Sequence, residues 1–307
     1  MTVRTQQERS WRDLIVLHRL EYPFPITYLC DAVWGACYAV SGVWHLLDAP
    51  VLLAITANLI LIVAALSLNT AVDIRTDEQD HGRSYVASAA LRFGRHRAIG
   101  WAATEMTCAL ALISLVSVWL GRWLAGVAGA LIIVLHLLYN LEPTRLKRRG
   151  LANPVTLGVS FGFLPCLVSY SAVRPDFDVS VGPIFVGLGI LATGRGLWWS
   201  VPDLPADAVT GMRTPAVRYG AVRTLALSCL ITVVGLGLLG WGLWWHNGFG
   251  WALLGVAVSA APLGSQLALL RRTANGTVPR SAAVRRRSMT LVMIANVLLA
   301  LLPLAAG

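Results

Sequence analysis

The sequence predicts an all-α fold, a polytopic membrane helical bundle of about nine transmembrane helices with its N-terminus in the cytoplasm. Three observations carry that expectation. The 307-residue chain is 56% hydrophobic and only 13% charged, against about a quarter charged in an ordinary soluble domain. Its apolar residues gather into nine runs, each long enough for the roughly 17 to 25 residues that a helix needs to cross hydrocarbon. Finally, 22 of its 25 lysines and arginines fall in alternate connecting segments, the bias that places those segments on the cytoplasmic side.

Taken in order, the runs cover roughly residues 22–46, 50–72, 97–118, 122–141, 152–171, 181–201, 221–245, 248–270 and 287–305. The first opens on HRLEYPFPITYL, where Pro23 and Pro25 suit a helix entrance. Tyr22 reads as an interfacial anchor, and Tyr28 and Trp34 as either anchors or pocket lining. The breaks at 118–122 and 245–248 are so short that the flanking helices must be antiparallel neighbours. Before Tyr22 the chain is polar and of mixed charge, with no short apolar core ahead of a small-residue cleavage site, so the first run is expected to be retained rather than removed. The whole of 1–307 then reads as one intramembrane domain, with 1–21 a cytoplasmic segment and 73–96 and 203–220 cytoplasmic loops. Residues Arg92, Arg95 and Arg97 are expected to face anionic headgroups. The net charge of +10 follows largely from topology, and a nucleic-acid partner is excluded because no soluble basic domain is present.

The second run ends in an acidic cluster, NTAVDIRTDEQD over 69–80. Asn69, Asp73 and Asp77 stand at i, i+4 and i+8, which on a helix places them on successive turns of one side. Carboxylates this dense repel one another and are costly beside hydrocarbon, so a cation is expected among them; a hard divalent ion, Mg2+ first, suits oxygen ligands best. An ordinary charged juxtamembrane loop is the other reading. Asp203 and Asp207 in VPDLPADAVTG close the sixth run at a constant offset of 134 residues from Asn69 and Asp73. Such an offset suggests an internal repeat, and repeats in membrane proteins place the functional site at their interface.

Basic residues stand near these acids. Arg83 follows Asp77 by six positions. The fourth run ends in HLLYNLEPTRLKRRG, bringing Tyr139, Arg145 and Lys147 to the same side of the membrane. That cluster is either a stop-transfer signal or an anion clamp facing the acids. Arg195 lies within a run, as a functional residue or as one that snorkels to the interface. Most of the twelve tryptophans, a set that includes Trp198, Trp199, Trp241, Trp244 and Trp245, are expected in the interfacial belts, and a few could line a cavity and stabilise a cation through their ring faces. The five cysteines have no CxxC pair and the six histidines no ligand spacing, so neither set is assigned to a metal or a disulfide.

On these residues the chain resembles the UbiA superfamily of intramembrane prenyltransferases. NTAVDIRTD is similar to that family's first aspartate-rich motif, with Asn69, Asp73 and Asp77 matched. DLPADAVTGMRTPAVRYG is similar to its second, with Asp203, Asp207, Gly211, Thr214 and Gly220 matched. YNLEPTRLKRRG matches a third segment through Tyr139, Pro143, Arg145 and Lys147. There are two departures: Thr70 stands where the family usually has a second Asp, and Ser84 rather than proline follows Arg83.

The resemblance implies a nine-helix bundle that uses Mg2+, held by Asn69, Asp73, Asp77, Asp203 and Asp207, to ionise an isoprenyl diphosphate. Arg83, Arg145, Lys147 and Tyr139 are implied as the diphosphate-binding residues. The prenyl group would pass to a lipophilic or aromatic acceptor, or, in a terpene cyclase of the same scaffold, the substrate's own alkene would capture the cation. Such an enzyme is integral to the lipid bilayer, the plasma membrane in a prokaryote, with its site toward the cytoplasm. A transporter fits less well, because the charged groups lie at helix ends on one side rather than near the midplane.

Overall fold

Residues 52–68 carry no charge, and with Pro50 in the first turn they form the helix Ala49–Val72, buried along much of its length. The computed structural model describes residues 11–79, 82–277 and 281–306. Arg4, Arg9, Asp80, His81 and Arg280, and the side chains of Arg285, Arg286 and Arg287, lie outside the described residues. Among the described residues every regular element is helical: α1 Trp11–Leu17, α2 Phe24–Cys37, α3 Ala49–Val72, α4 Ile74–Gln79, α5 Ser84–Phe93, α6 Arg95–Leu120, α7 Trp123–Asn140, α8 Ala152–Leu157, α9 Leu164–Ser171, α10 Gly182–Trp199, α11 Leu204–Val209, α12 Pro215–Tyr219, α13 Ala221–Asn247, α14 Phe249–Ala274 and α15 Ser281–Ala306. A π-helical turn, Gly158–Phe163, joins α8 to α9 into one rod, Ala152–Ser171.

Eight of these rods are long and apolar enough to cross a membrane. The first of the nine expected spans is the exception. The prolines at 23 and 25 fix its start, it stops at Cys37, and the rest of the run is spent on an extended Gly42 and a 3₁₀ turn, Val43–Leu47. Fourteen residues rise only about 21 Å, short of a hydrocarbon core of about 30 Å. Most of α2 is instead buried by its neighbours.

Contacts run from α2 to α3, α6, α7, the α8–α9 rod, α10, α13, α14 and α15, and α15 returns to α2, so the elements close into a ring. Inside it, α2 also packs on α9, and the approach is tight: a Cβ on Gly35 would lie 1.9 Å from the Cys166 carbonyl oxygen. At Gly158 a Cβ would lie 1.9 Å from Thr193 Oγ1. Close backbone approach through small residues is how helices associate where lipid is as apolar as their side chains. Outward-facing positions such as Leu115, Leu131, Leu230 and Leu253 are exposed and apolar, as hydrocarbon contact requires.

The expected loops turn out to be partly helical. The 73–96 segment folds into α4 and α5, and 203–220 into α11 and α12. In the N-terminal segment, α1 docks on α5, where Leu17 meets Ala71, Ala90 and Ala98. Arg92, exposed on one side, donates to buried Asp13, Nη2 to Oδ1 at 2.5 Å, and so ties α5 to α1. The tryptophans divide. Trp241, Trp244 and Trp245 are exposed, but Trp198 is a core residue, and Trp34 is buried with its Nε1 donating to the Asn296 carbonyl at 3.2 Å. The ring nitrogen of Trp198 is buried without a hydrogen-bond partner.

Candidate active site at one end of the bundle

The last turn of α3 brings Asn69 to the end of the ring, and Asp73 closes the helix with its N–H on the Asn69 carbonyl at 3.0 Å. A carboxylate at a helix C-terminus faces the negative end of the helix dipole, so cations are needed beside it. Arg145 Nη2 donates to Asp73 Oδ1 at 3.0 Å, and Lys147 Nζ donates to Oδ2. The expected single helix through Asn69, Asp73 and Asp77 is thus broken at Asp73, and Asp77 rides on α4 instead. Its carboxylate meets Arg19 at 3.5 Å and Arg83 at 3.9 Å.

The second acidic stretch reaches the same place. Asp203 precedes α11 and accepts from Arg83 Nη2 at 2.8 Å. Asp207, one turn later, accepts from Thr214 Oγ1 at 2.9 Å. Arg83 therefore bridges the two stretches. Asn69 Nδ2 donates to Asn140 Oδ1 at 3.0 Å, and Tyr139, buried beneath, donates its hydroxyl to Asn153 Oδ1 at 3.4 Å. Asn153 in turn donates to the Lys147 carbonyl at 3.0 Å, fixing the turn that carries the lysine.

All nine predicted site residues come to this end of the ring. Asn69, Asp77, Arg83, Tyr139, Lys147, Asp203 and Asp207 line a cavity of about 230 Å³, whereas Asp73 and Arg145 stand behind that lining and join it through Lys147. Phe24, Tyr28, Leu66, Leu157, Phe161 and Trp199 form apolar wall further in. Tyr28 and Trp199 are thus pocket residues rather than interfacial anchors. Arg195 also lines the cavity, 3.6 Å from Asp31 Oδ2, so it is paired inside the bundle and does not snorkel.

Sequence reasoning missed Arg19, Asp31, Asn140 and Asn153. In the sequence Arg19 is one more basic residue before the first run, yet its Nε donates to Thr70 Oγ1 at 3.4 Å and its Nη2 reaches Asp77. Thr70, which replaces the expected aspartate, is fully buried under it. Arg19 and Arg145 are the two non-glycine residues with positive φ, 51° and 30°, among the described residues. Such conformations are costly for a side chain with a Cβ and gather at functional sites; both residues here aim a guanidinium at the acids.

Four carboxylates, Asp73, Asp77, Asp203 and Asp207, thereby face four cations, Arg19, Arg83, Arg145 and Lys147. Burial, then the charge of Asp203, pushes the Asp207 carboxyl up to about 6, while Lys147, Thr214 and Arg83 pull the other way. Burial, with Arg19 beside it, brings the Lys147 ammonium down to about 8. Among the described residues no three acids, imidazoles or thiols converge tightly enough to hold a metal ion as the side chains stand, because each acid is turned toward a basic or hydroxyl partner. The donor set nevertheless fits a hard cation: four carboxylates and one carboxamide, oxygen only, with Asp77 Oδ2 buried and lacking a hydrogen bond.

A sequence model of the UbiA prenyltransferase family matches residues 29–294. The chain is 32% identical over 133 residues to the bacteriochlorophyll synthase 33 kDa chain of Rhodobacter capsulatus, a match that covers 42% of this chain and spans 43% of that relative's length. In fold it is similar to a UbiA homolog from Archaeoglobus fulgidus bound to DMAPP and Mg2+, with a TM-score of 0.68 at 13% identity over 96% of this chain and 98% of that one. It is similar also to a digeranylgeranylglyceryl phosphate synthase structure, with a TM-score of 0.64 at 14% identity over the same shares.

Proposed function

The chain belongs to the UbiA prenyltransferase family, an integral multi-pass membrane protein, and from that premise we propose that it ionises an isoprenyl diphosphate with Mg2+ and transfers the prenyl group to a lipophilic or aromatic acceptor. The observation that carries the reading is the balance of charge at the end of the ring. Four acids already match four cations, so a diphosphate entering there brings negative charge that the side chains alone leave uncompensated. Divalent cations restore the balance. Asn69, Asp73, Asp77, Asp203 and Asp207 would hold Mg2+, which when bound neutralises the diphosphate and makes it a better leaving group.

The remaining steps belong to the chain. With the acids engaged elsewhere, Arg83, Arg145 and Lys147 are released to donate charge-assisted hydrogen bonds to the diphosphate oxygens. Tyr139, buried on Asn153, supports the turn that delivers Lys147. The prenyl chain lies along Phe24, Tyr28, Leu66 and Phe161, whose apolar surfaces exclude water while an allylic cation exists. Aromatic faces there also favour a cation over a neutral chain. The carbon–oxygen bond to diphosphate breaks, its electron pair leaves with the diphosphate, the acceptor's pair forms the new bond, and the acceptor's displaced proton passes to the released diphosphate. The basic-residue bias that faces this end of the ring toward the cytoplasm supports a cytoplasmic site.

The test incubates purified protein and Mg2+ with geranyl, farnesyl and geranylgeranyl diphosphates, first with no acceptor. A transferase gives only slow hydrolysis to prenyl alcohol. Rapid conversion of one chain length to a cyclic hydrocarbon, the nucleophile being tethered at high effective concentration, would make the protein a cyclase. No Mg2+-dependent release of diphosphate from any of the three would overturn the whole reading.

A further inference from the structure

Deeper than the acid cluster, the same cavity carries a second charged group of its own. Asp31 on α2 is 1% exposed, although it stands in the middle of an otherwise apolar helix. Arg195 on α10, one turn inside the end at Trp199, places Nη2 at 3.6 Å from Asp31 Oδ2, near enough for an ion pair and too far for a good hydrogen bond. The other carboxylate oxygen, Oδ1, is buried and has no hydrogen-bond partner. Both side chains line the cavity. An ionisable pair inside an apolar bundle is expensive unless its hydrogen bonds are completed, and here an acceptor oxygen and a guanidinium are left to be completed by whatever enters.

We propose that the Asp31–Arg195 pair is a subsite for a neutral protic group of the second substrate, a hydroxyl or amide that donates to Asp31 and accepts from Arg195. This rests on the transfer reading and narrows its acceptor class. The two charges cancel, so the pair presents a donor and an acceptor side by side with no excess of either sign. A neutral group that is both donor and acceptor completes both residues. An anionic group meets Arg195 only together with the repelling Asp31 carboxylate, and an aprotic one leaves Asp31 Oδ1 unsatisfied, which a site built for hydrogen bonding penalises heavily.

The experiment compares two probes of one shape, 4-hexylphenol, neutral at pH 7, and 4-hexylbenzoate, anionic there, by their quenching of tryptophan fluorescence in detergent-solubilised full-length protein. Partition into micelles is common to all variants and cancels in the ratio of affinities. Wild type is expected to favour the phenol. Asp31→Asn leaves Arg195 unmatched and should shift the ratio toward the benzoate by at least ~10-fold, whereas Arg195→Gln leaves the carboxylate unmatched and should shift it by as much in the opposite direction. Opposed shifts are not what a merely structural pair produces. Should neither single variant fold, D31L/R195L removes the donor and the acceptor together, and the preference of wild type for 4-hexylphenol over the aprotic 4-hexylanisole must fall by at least ~10-fold. An unchanged ratio in the variants, shifts of one sign in both, or binding of neither probe to wild type would overturn the assignment. Mg2+-dependent diphosphate release from geranyl, farnesyl and geranylgeranyl diphosphates, measured on wild type, reports separately on the ionisation that the transfer reading requires.

Discussion

Arg83 Nη2 donates to Asp203 Oδ2 at 2.8 Å across 120 residues of sequence, joining the loop after the first acidic stretch to the start of the second. The same guanidinium reaches Asp77 at 3.9 Å. One arginine thus spans both halves of the chain at the point where their acids meet, and any anion that it binds there competes with these carboxylates. The site's resting charge pairs and its working contacts are in competition, and the predictions follow from that competition.

Removing an acid should cost activity far more than fold. Asp73→Ala and Asp203→Ala are each expected to lower diphosphate release by at least ~10²-fold, the scale on which one electrostatic contact in a transition state is felt. Steady-state assay of folded variants with geranyl diphosphate checks this. Turnover at the wild-type rate by either variant would remove the acids from the metal site.

The cations should separate by position. Lys147→Ala, Arg145→Ala and Arg19→Ala are expected to raise the Kd for geranyl diphosphate, each by roughly tenfold or more, as loss of a charge-assisted hydrogen bond implies. Arg272→Ala, on the exposed last turn of α14, is expected to leave it unchanged. Equal losses at all four positions would mean that general surface charge, not a clamp, draws the diphosphate in.

Much of this was legible in the sequence because the constraint was strong. A run such as 52–68 without a charge has few alternatives to a buried membrane helix, and carboxylates at 73, 77, 203 and 207, which singly could be ordinary juxtamembrane charges, stand out because two such groups close corresponding runs. Arg19 was not legible, because one more basic residue before the first run adds only to a topological count; its role depends on a left-handed backbone that turns it back over Thr70. Asp31 was legible in principle, as a carboxylate inside an apolar stretch. Its partner could not be read, because Arg195 is 164 positions away and only the closing of the ring brings α2 beside α10. The length of α2 failed for another reason: hydropathy reports where a chain is apolar, not where prolines start a helix and an extended glycine interrupts the run.

Packing sets a third prediction. Gly35 admits no side chain because its missing Cβ would meet the Cys166 carbonyl at 1.9 Å, and that oxygen belongs to a rigid helix. Gly35→Ala must therefore part α2 from α9, at a cost of about 3 kcal/mol or more. Thermal unfolding in detergent should show a clearly lowered midpoint, while Gly100→Ala, where a Cβ meets nothing within 4 Å, should match wild type.

The last prediction concerns Thr70, the position at which the chain departs from its family's pattern. It is fully buried, and its hydroxyl accepts from Arg19 Nε at 3.4 Å. Thr70→Asp would place a fifth carboxylate beside a guanidinium already shared with Asp77. If Arg19 turns to the new acid, Asp77 is freed for a divalent ion, and oxygen sites gain affinity as their charge count rises. Half-saturating Mg2+ for diphosphate release should then fall roughly tenfold. Without metal, the same variant holds five acids against four cations in a buried site, so its unfolding midpoint should drop and recover as Mg2+ is added, the stabilisation expected of an ion that binds only the folded chain. An unchanged Mg2+ requirement together with an unchanged midpoint would mean that position 70 is electrically remote from the acid cluster, and that the Arg19 contact across it is packing alone.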